Sequence, residues 1–115
     1  MIVALLRTDG YDVVSVSNGV ELLSVLQVSL DLESDVREFD FVISDVRMPG
    51  TSGPRAFARI GNTARVPPVL FMTAFGDEEL REEAMRVGAV AVLDKPVDLD
   101  ELRAFVDKYL APKYS

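Results

Sequence analysis

Three short runs of apolar residues, each without an internal polar residue, dominate the hydropathy pattern of the chain. They are Phe41–Ile43, Val69–Met72 and Ala89–Leu93. Runs of this kind are typical of strands in a parallel sheet, because helices cover both faces of such a sheet. The pattern therefore predicts three buried parallel strands.

Segments with helical periodicity alternate with these runs. We expect helices that begin near Asn18, Gly53, Asp77 and Asp98, because a capping or helix-starting residue precedes apolar residues three or four positions apart. The first of these helices is expected to end near Gln27. Asp77 and Asp98 are the predicted side-chain caps of the last two helices, Gly61-Asn62 ends the Gly53 helix, and Gly88 ends the Asp77 helix.

The first 17 residues give a less definite pattern. Tyr11–Ser17 contains three valines and predicts a further strand. Met1–Leu6 is apolar and fits either the last turns of a helix that Gly10 stops or a stub of strand. Both interpretations stay open at this point.

Alternation of strand and helix throughout the chain indicates the α/β class. Consecutive parallel strands need right-handed crossovers, which place helices on both faces of one doubly wound sheet. A length of 115 residues is enough for one core. We therefore expect residues 1–115 to form a single domain.

Composition and charge exclude several functions. A net charge of −7 argues against direct binding to nucleic acid or to an anionic membrane surface. The absence of cysteine and histidine excludes disulfides, thiol catalysis, histidine bases and the usual zinc sites. No stretch resembles a signal peptide or a membrane span, and a cytoplasmic location is expected.

A polar side chain follows the end of each apolar run. These residues are Asp45, Thr73 and Lys95, and the carboxyl ends of parallel strands meet at one edge of the sheet. Taken singly, they have ordinary interpretations as a turn aspartate, a strand-end hydroxyl and a solvated amine. Together they indicate a site with a nucleophile, a hydroxyl and a cation.

The order of these motifs resembles the receiver domain of two-component response regulators. The resemblance rests on Gly10-Tyr11-Asp12-Val13-Val14 with Ser17-Asn18-Gly19, Asp45 with Met48-Pro49-Gly50 and Gly53, Thr73-Ala74, Gly88-Ala89 and Lys95-Pro96. It implies a flavodoxin-like fold. It covers nearly the whole chain.

The resemblance also implies roles for these residues. Asp45 would accept a phosphoryl group from a sensor histidine kinase or a phosphotransfer protein, with Thr73 following that group and Lys95 pairing with it. Ala74 is small where the phosphoryl group must pass, and the Lys95-Pro96 peptide is expected to be cis. The readout would pass through the last two helices and the last strand to an output partner that this chain does not contain.

One departure from the family concerns magnesium. Receivers begin with a strand that ends in two metal-binding acids, and Met1–Arg7 matches only the end of the helix that follows it. Asp9 and Asp12 cannot replace the pair, because their turn lies at the opposite edge of the sheet. Asp45 and the carbonyl of Arg47 are the remaining ligands, so Mg²⁺ binding is expected to be weak or absent.

The missing strand is also expected to affect folding. In the flavodoxin-like order it lies between the second and third strands, so its loss leaves a gap of about 10 Å. Closure of the sheet, pairing with Met1–Leu6 as an antiparallel arm, or a shared sheet edge in a homodimer would fill this gap. We expect self-association.

A second departure lies at Val92, where the family usually has a tyrosine or phenylalanine whose ring reports the movement of Thr73. Arg47 and Phe75 occupy positions where receivers tune hydrolysis of the phosphoryl group. A valine at position 92 has no ring with which to report the state of the site.

We therefore predict a phosphoacceptor switch and not an enzyme. One alternative is a receiver-like interaction module that works without phosphorylation, which the missing acids and Val92 would favour. Retention of Asp45, Thr73 and Lys95 argues against it. The other alternative is a phosphatase of the haloacid dehalogenase type, but such an enzyme needs an acid where this chain has Arg47.

Overall fold

The structure, a computed structural model, describes residues 2–31, 39–47, 52–60, 67–74 and 77–110. These residues form five helices and three strands. In chain order they are α1 (Ile2–Thr8), α2 (Gly19–Asp31), β1 (Val42–Asp45), α3 (Gly53–Ile60), β2 (Val69–Thr73), α4 (Glu78–Arg86), β3 (Ala91–Asp94) and α5 (Leu99–Tyr109).

The three predicted apolar strands form one parallel sheet in the order β1-β2-β3. Val42 of β1 pairs with Val69 of β2, and Leu70 of β2 pairs with Ala91 of β3. Each crossover contains a helix, as parallel neighbours require. The α/β class is confirmed.

Helices cover both faces of the sheet. Val69 and Phe71 of β2 pack in one core cluster with residues of α2, α3 and α4. Leu70 belongs to a second cluster, on the opposite face, with Leu102 of α5 and with Ile2 of α1 packed against it. Alternate residues of a strand point to opposite faces, so β2 contributes to both clusters. This is the predicted doubly wound arrangement.

The helix ends agree well with the sequence signals. The Asn18 side chain accepts a hydrogen bond from the Glu21 amide at 2.8 Å, which confirms the predicted cap, although α2 continues beyond Gln27 to Asp31. Gly10 and Gly88 have positive φ values, +95° and +87°, and end α1 and α4. Gly61-Asn62 lies outside the described residues. None of the described helices combines the length and the apolar character needed to cross a membrane.

The strand predicted at Ala89–Leu93 begins two residues later, at Ala91. The amides of Gly88 and Ala89 donate to the carbonyls of Met85 and Ala84, which closes the last turn of α4. Ala89 is therefore committed to the helix end and not to the sheet.

From Ile2 onwards, α1 resolves the open interpretation of the amino-terminal apolar run in favour of a helix. The turn after it is held to α5, because Arg103 donates to both carboxylate oxygens of Asp9 at 2.8 and 2.9 Å, and the Tyr11 hydroxyl donates to Asp107 at 2.8 Å. The hydrogen bond and the negative charge of Asp9 raise the pKa of Arg103. These contacts fix the amino-terminal segment against the carboxyl-terminal helix.

The prediction of a strand at Tyr11–Ser17 was wrong. Residues 11–16 do not belong to the sheet, and a cavity of about 570 Å³ lies between this segment and β1. A valine-rich sequence becomes a strand only where a neighbour can accept its backbone hydrogen bonds. No described strand lies next to this segment, and the cavity is where such a neighbour would fit.

Candidate functional site

The register of the sheet brings the three predicted site residues to one edge. Asp45 is the last residue of β1 and pairs with Met72, one residue before Thr73. Thr73 in turn pairs with Asp94, one residue before Lys95. The register therefore brings all three to the same edge of the sheet, as predicted, with each residue one position further along than the one before.

Asp45 and Lys95 are in direct contact. Lys95 Nζ lies 2.5 Å from Asp45 Oδ1, and the two side chains are 47% and 41% exposed, respectively. Oδ1 itself is buried, so the exposure of the carboxylate leaves its other oxygen facing solvent. One oxygen is thus held by a cation while the other is open to an incoming group.

The backbone around Lys95 supports this contact. The Lys95 amide donates to the Thr73 carbonyl at 2.8 Å, which ties the residue after β3 to the end of β2. The Lys95-Pro96 peptide is cis, as the resemblance implied. The hydrogen bond to Thr73 fixes the backbone of Lys95, so only its side chain must adapt to a ligand.

Thr73 occupies the predicted position at the end of β2, but its hydroxyl contacts groups other than Asp45 and Lys95. The residue is 1% exposed, and its hydroxyl lies 3.3 Å from the Ala74 carbonyl and 3.5 Å from Asp77 Oδ2. Ala74 itself is exposed beside it. Within the described residues, the structure thus pairs Asp45 with Lys95 and directs Thr73 towards Asp77.

Asp77 is a residue of this region whose role the sequence did not reveal. It precedes α4, as predicted, but its side chain makes no cap hydrogen bond. Instead, Arg47 Nε and Nη2 both lie 2.8 Å from Asp77 Oδ1. Arg47 and Asp77 are 30 residues apart, so no local pattern could have identified this pair.

Gly53 is a second residue that shapes the site, because it packs closely against the end of β1. A Cβ atom there would lie 2.6 Å from the Asp45 carbonyl oxygen and 2.6 Å from Ser44 Oγ. The Gly53 amide also donates to the Val46 carbonyl at 3.1 Å. The start of α3 therefore packs directly on the end of β1, with room only for a hydrogen atom.

The described residues do not make a complete magnesium site. Among them, no group of three or more acidic, histidine or cysteine side chains is close enough to hold a metal ion. The carboxylate of Asp45 already contacts Lys95, and Arg47 would offer only its backbone carbonyl. Mg²⁺ prefers six oxygen ligands in octahedral geometry, which these two groups supply only in part.

Val92 lies on β3 opposite Phe71, and it is half-buried against the core cluster that contains Phe71. It therefore packs as an aliphatic core residue. Phe75 lies outside the described residues.

Comparison with known proteins decides the family. The family description "Response regulator receiver domain" matches residues 1–107. The chain belongs to this family. The family accounts for the parallel sheet, for the flavodoxin-like fold and for the polar residues at the strand ends.

Two curated relatives illustrate the range of proteins that contain such a domain. The transcriptional regulatory protein ZraR of Escherichia coli is 36% identical over 112 residues, which are 97% of this chain and 24% of ZraR. Sporulation initiation phosphotransferase F of Bacillus subtilis is 31% identical, over 91% of this chain and 78% of that protein. The chain thus spans about a quarter of the first relative and most of the second.

Solved structures agree with the fold. A response regulator receiver domain protein from Clostridium thermocellum superimposes with a TM-score of 0.76 at 28% identity, over 92% of this chain and 79% of that one. The receiver domain of the sensor histidine kinase PA1611 from Pseudomonas aeruginosa gives 0.73 at 26% identity, over 96% and 86%. The PA1611 structure has a magnesium ion in its active-site cleft.

Proposed function

We propose that this receiver domain is a phosphorylation switch in which Asp45 is the phosphoacceptor. The observation that carries the proposal is the Asp45 carboxylate at the sheet edge, with one oxygen on Lys95 and the other facing solvent. The phosphoryl donor is proposed to be a phosphohistidine of a sensor kinase or of a phosphotransfer protein. Family membership supports both assignments.

The chemistry needs a nucleophile and a way to stabilise charge. The exposed Asp45 oxygen attacks phosphorus, the phosphorus–nitrogen bond of the phosphohistidine breaks, and the imidazole nitrogen keeps the electron pair. The product is an acyl phosphate on Asp45. Lys95 then pairs with a phosphoryl oxygen, and the Thr73 hydroxyl donates to another, because phosphoryl transfer depends mainly on positioning and charge stabilisation.

Magnesium, as in the PA1611 receiver domain, would neutralise charge on the transferred oxygens. The donors that this chain supplies, Asp45 and the Arg47 carbonyl, support at most weak binding. We therefore assign to Lys95 the charge stabilisation that does not depend on a bound metal ion.

The readout is proposed to involve α4, β3 and α5, the last two helices and the last strand. Relatives such as ZraR are named as transcriptional regulators, and this chain matches only a quarter of that protein. The output partner is therefore proposed to be a separate domain or protein that recognises this surface, and the location is proposed to be the cytoplasm. Nothing in the comparisons favours the alternative module that works without phosphorylation.

Phosphotransfer from a phosphohistidine-containing donor tests the proposal. We expect the wild-type chain to become labelled in the presence of magnesium, and Asp45→Asn to remain unlabelled. Lys95→Ala should slow labelling by at least ~10-fold, because it removes the cation on the acceptor carboxylate. Labelling of Asp45→Asn at the wild-type rate would refute the assignment.

Lys108→Ala is the matched control for Lys95→Ala. Lys108 is an exposed lysine in the last turn of α5, at the opposite end of that helix from Lys95. It carries the same charge, so its removal changes the net charge equally. An equal slowing by both substitutions would show that Lys95 acts only through the net charge of the domain.

A further inference from the structure

Two aspartates at the starts of helices differ in the hydrogen bonds that their side chains accept. Asp98, before α5, accepts hydrogen bonds from the amides of Asp100 and Glu101 at 2.9 and 3.3 Å. Asp77 holds the same position before α4 and accepts none from the amides of its helix. An aspartate at this position normally satisfies the amides two and three residues on, which here belong to Glu79 and Leu80.

The Asp77 carboxylate contacts two residues that lie near the ends of β1 and β2. Arg47, two residues beyond Asp45, contacts Oδ1 with two nitrogens at 2.8 Å. The Thr73 hydroxyl lies 3.5 Å from Oδ2. The Asp77 side chain is only 7% exposed, whereas that of Arg47 is 71% exposed. A buried carboxylate thus links the ends of β1 and β2 to the start of α4.

A phosphoryl group on Asp45 would compete for both partners of Asp77. It adds about two negative charges, and a guanidinium and a hydroxyl are both suitable donors to its oxygens. If Arg47 and Thr73 turn towards the phosphoryl group, Asp77 is left buried and without a partner, which is costly. The amides of Glu79 and Leu80 are suitable replacement donors, because Asp77 already stands at the cap position of α4.

We propose that Asp77 is a positioning residue that exchanges partners on phosphorylation. In the unphosphorylated domain it holds Arg47 and the Thr73 hydroxyl away from Asp45. In the phosphorylated domain it releases them and caps α4. The start of α4, within the proposed readout surface, therefore changes together with the state of Asp45. This inference rests on the proposed function of Asp45.

Two substitutions separate the consequences of this exchange. Asp77→Asn keeps a good cap residue but removes the charge that holds Arg47. It should raise the affinity for beryllofluoride, an analogue of the phosphoryl group, by about 3- to 10-fold and should move the Leu80 amide resonance to its capped position without any analogue. Arg47→Gln should move the same resonance, but it should not raise beryllofluoride affinity, because it also removes a donor to the analogue.

The matched control is Asp98→Asn, which conserves the cap of α5 and changes the net charge as Asp77→Asn does. It should leave both the beryllofluoride affinity and the Leu80 amide unchanged. A purely structural role of Asp77 would give a loss of affinity with Asp77→Asn, not a gain.

Unchanged or reduced beryllofluoride affinity in Asp77→Asn, or an unmoved Leu80 amide in Arg47→Gln, would overturn the proposal. If no variant bound beryllofluoride, the assignment of Asp45 would fail instead. The Leu80 amide resonances of Arg47→Gln and Asp77→Asn, recorded without beryllofluoride, would then still decide whether Asp77 alternates between Arg47 and the cap of α4.

Discussion

Gly53 is a residue whose lack of a side chain shapes the site. A Cβ atom would meet the Asp45 carbonyl oxygen and Ser44 Oγ at 2.6 Å and a ring carbon of Phe71 at 2.7 Å. These distances are well below van der Waals contact, and two of the three neighbours are a strand backbone and a fully buried ring. The start of α3 would have to move away from β1.

We therefore expect Gly53→Ala to lower the free energy of unfolding by about 2 kcal/mol or more, as overpacking in a core does. Urea denaturation followed by circular dichroism measures the change. Gly19→Ala is the matched control for helix propensity, because Gly19 is also a buried first residue of a helix. It should lower the free energy of unfolding by less than Gly53→Ala does, because alanine is the better helix former. Equal effects would mean that helix propensity, and not the clash, is responsible.

Prediction at the level of residues succeeded where topology alone determines position. Asp45, Thr73 and Lys95 lie at the carboxyl ends of three consecutive parallel strands, so no knowledge of side-chain packing was needed to bring them to one edge. The direction of the Thr73 hydroxyl and the pairing of Asp77 with Arg47 depend on contacts between distant parts of the chain. A carboxylate before a helix was predicted to cap it, but a nearby guanidinium competes for the same oxygen.

Helix α5 shows what a working cap contributes. Asp98 accepts two amide hydrogen bonds at its start, and Leu102 and Val106 are buried on its inner face. Asp98→Ala should therefore lower the free energy of unfolding by about 1 kcal/mol. Thermal denaturation of the wild type, Asp98→Ala and Asp98→Asn measures this effect.

Asp98→Asn should retain most of the wild-type stability, because the amide oxygen of asparagine can still accept from the Asp100 and Glu101 amides. Equal losses in Asp98→Ala and Asp98→Asn would assign the effect to the charge near the helix amino terminus and not to the cap hydrogen bonds.

At the scale of elements, the buried strands and the starts of the helices were predictable, because their signals are local. The Tyr11–Ser17 segment was not, because strand formation depends on a neighbour as well as on propensity. Its valines satisfy the local pattern, yet Val14 is 64% exposed and the segment lies across a cavity from β1. Helix α1 could not be distinguished from a strand in a run of six residues.

At the scale of the whole molecule, a cavity of about 570 Å³ separates residues 11–16 from β1. Ile43 of β1, Leu26 of α2 and Val106 of α5 are among the residues that line it. The amides of Val42 and Val46 donate to carbonyls at positions 68 and 72, so by alternation the amide of Ile43 points away from β2 and towards the cavity. An open strand edge and apolar walls together favour a further strand.

The test is a version of the chain that is extended at its amino terminus by an apolar strand ending in two acids. We expect its free energy of unfolding to be higher by at least about 2 kcal/mol. Two or more aliphatic side chains of the added strand would be buried, and each contributes about 1.5 to 3 kcal/mol. The extended chain should also bind Mg²⁺ at least ~10-fold more tightly, since the acids would join Asp45. Denaturation and magnesium titration measure these two changes.

A glycine-serine extension of equal length is the control and should change neither quantity. Sedimentation velocity over a range of concentrations adds a third comparison, because self-association through the open edge should decrease when the strand is supplied. Equal magnesium affinity in the original and extended chains would mean that another carboxylate reaches Asp45 and that the amino-terminal segment is misplaced.

The most direct test of the account as a whole is to map where the phosphoryl group is attached. The chain is labelled with a small phosphodonor and magnesium, the acyl phosphate is reduced with borohydride, and the modified residue is identified by mass spectrometry of peptides. We predict a single modified residue, Asp45, and no modification in Asp45→Asn. Modification at another acid, or labelling that survives Asp45→Asn, would contradict the account.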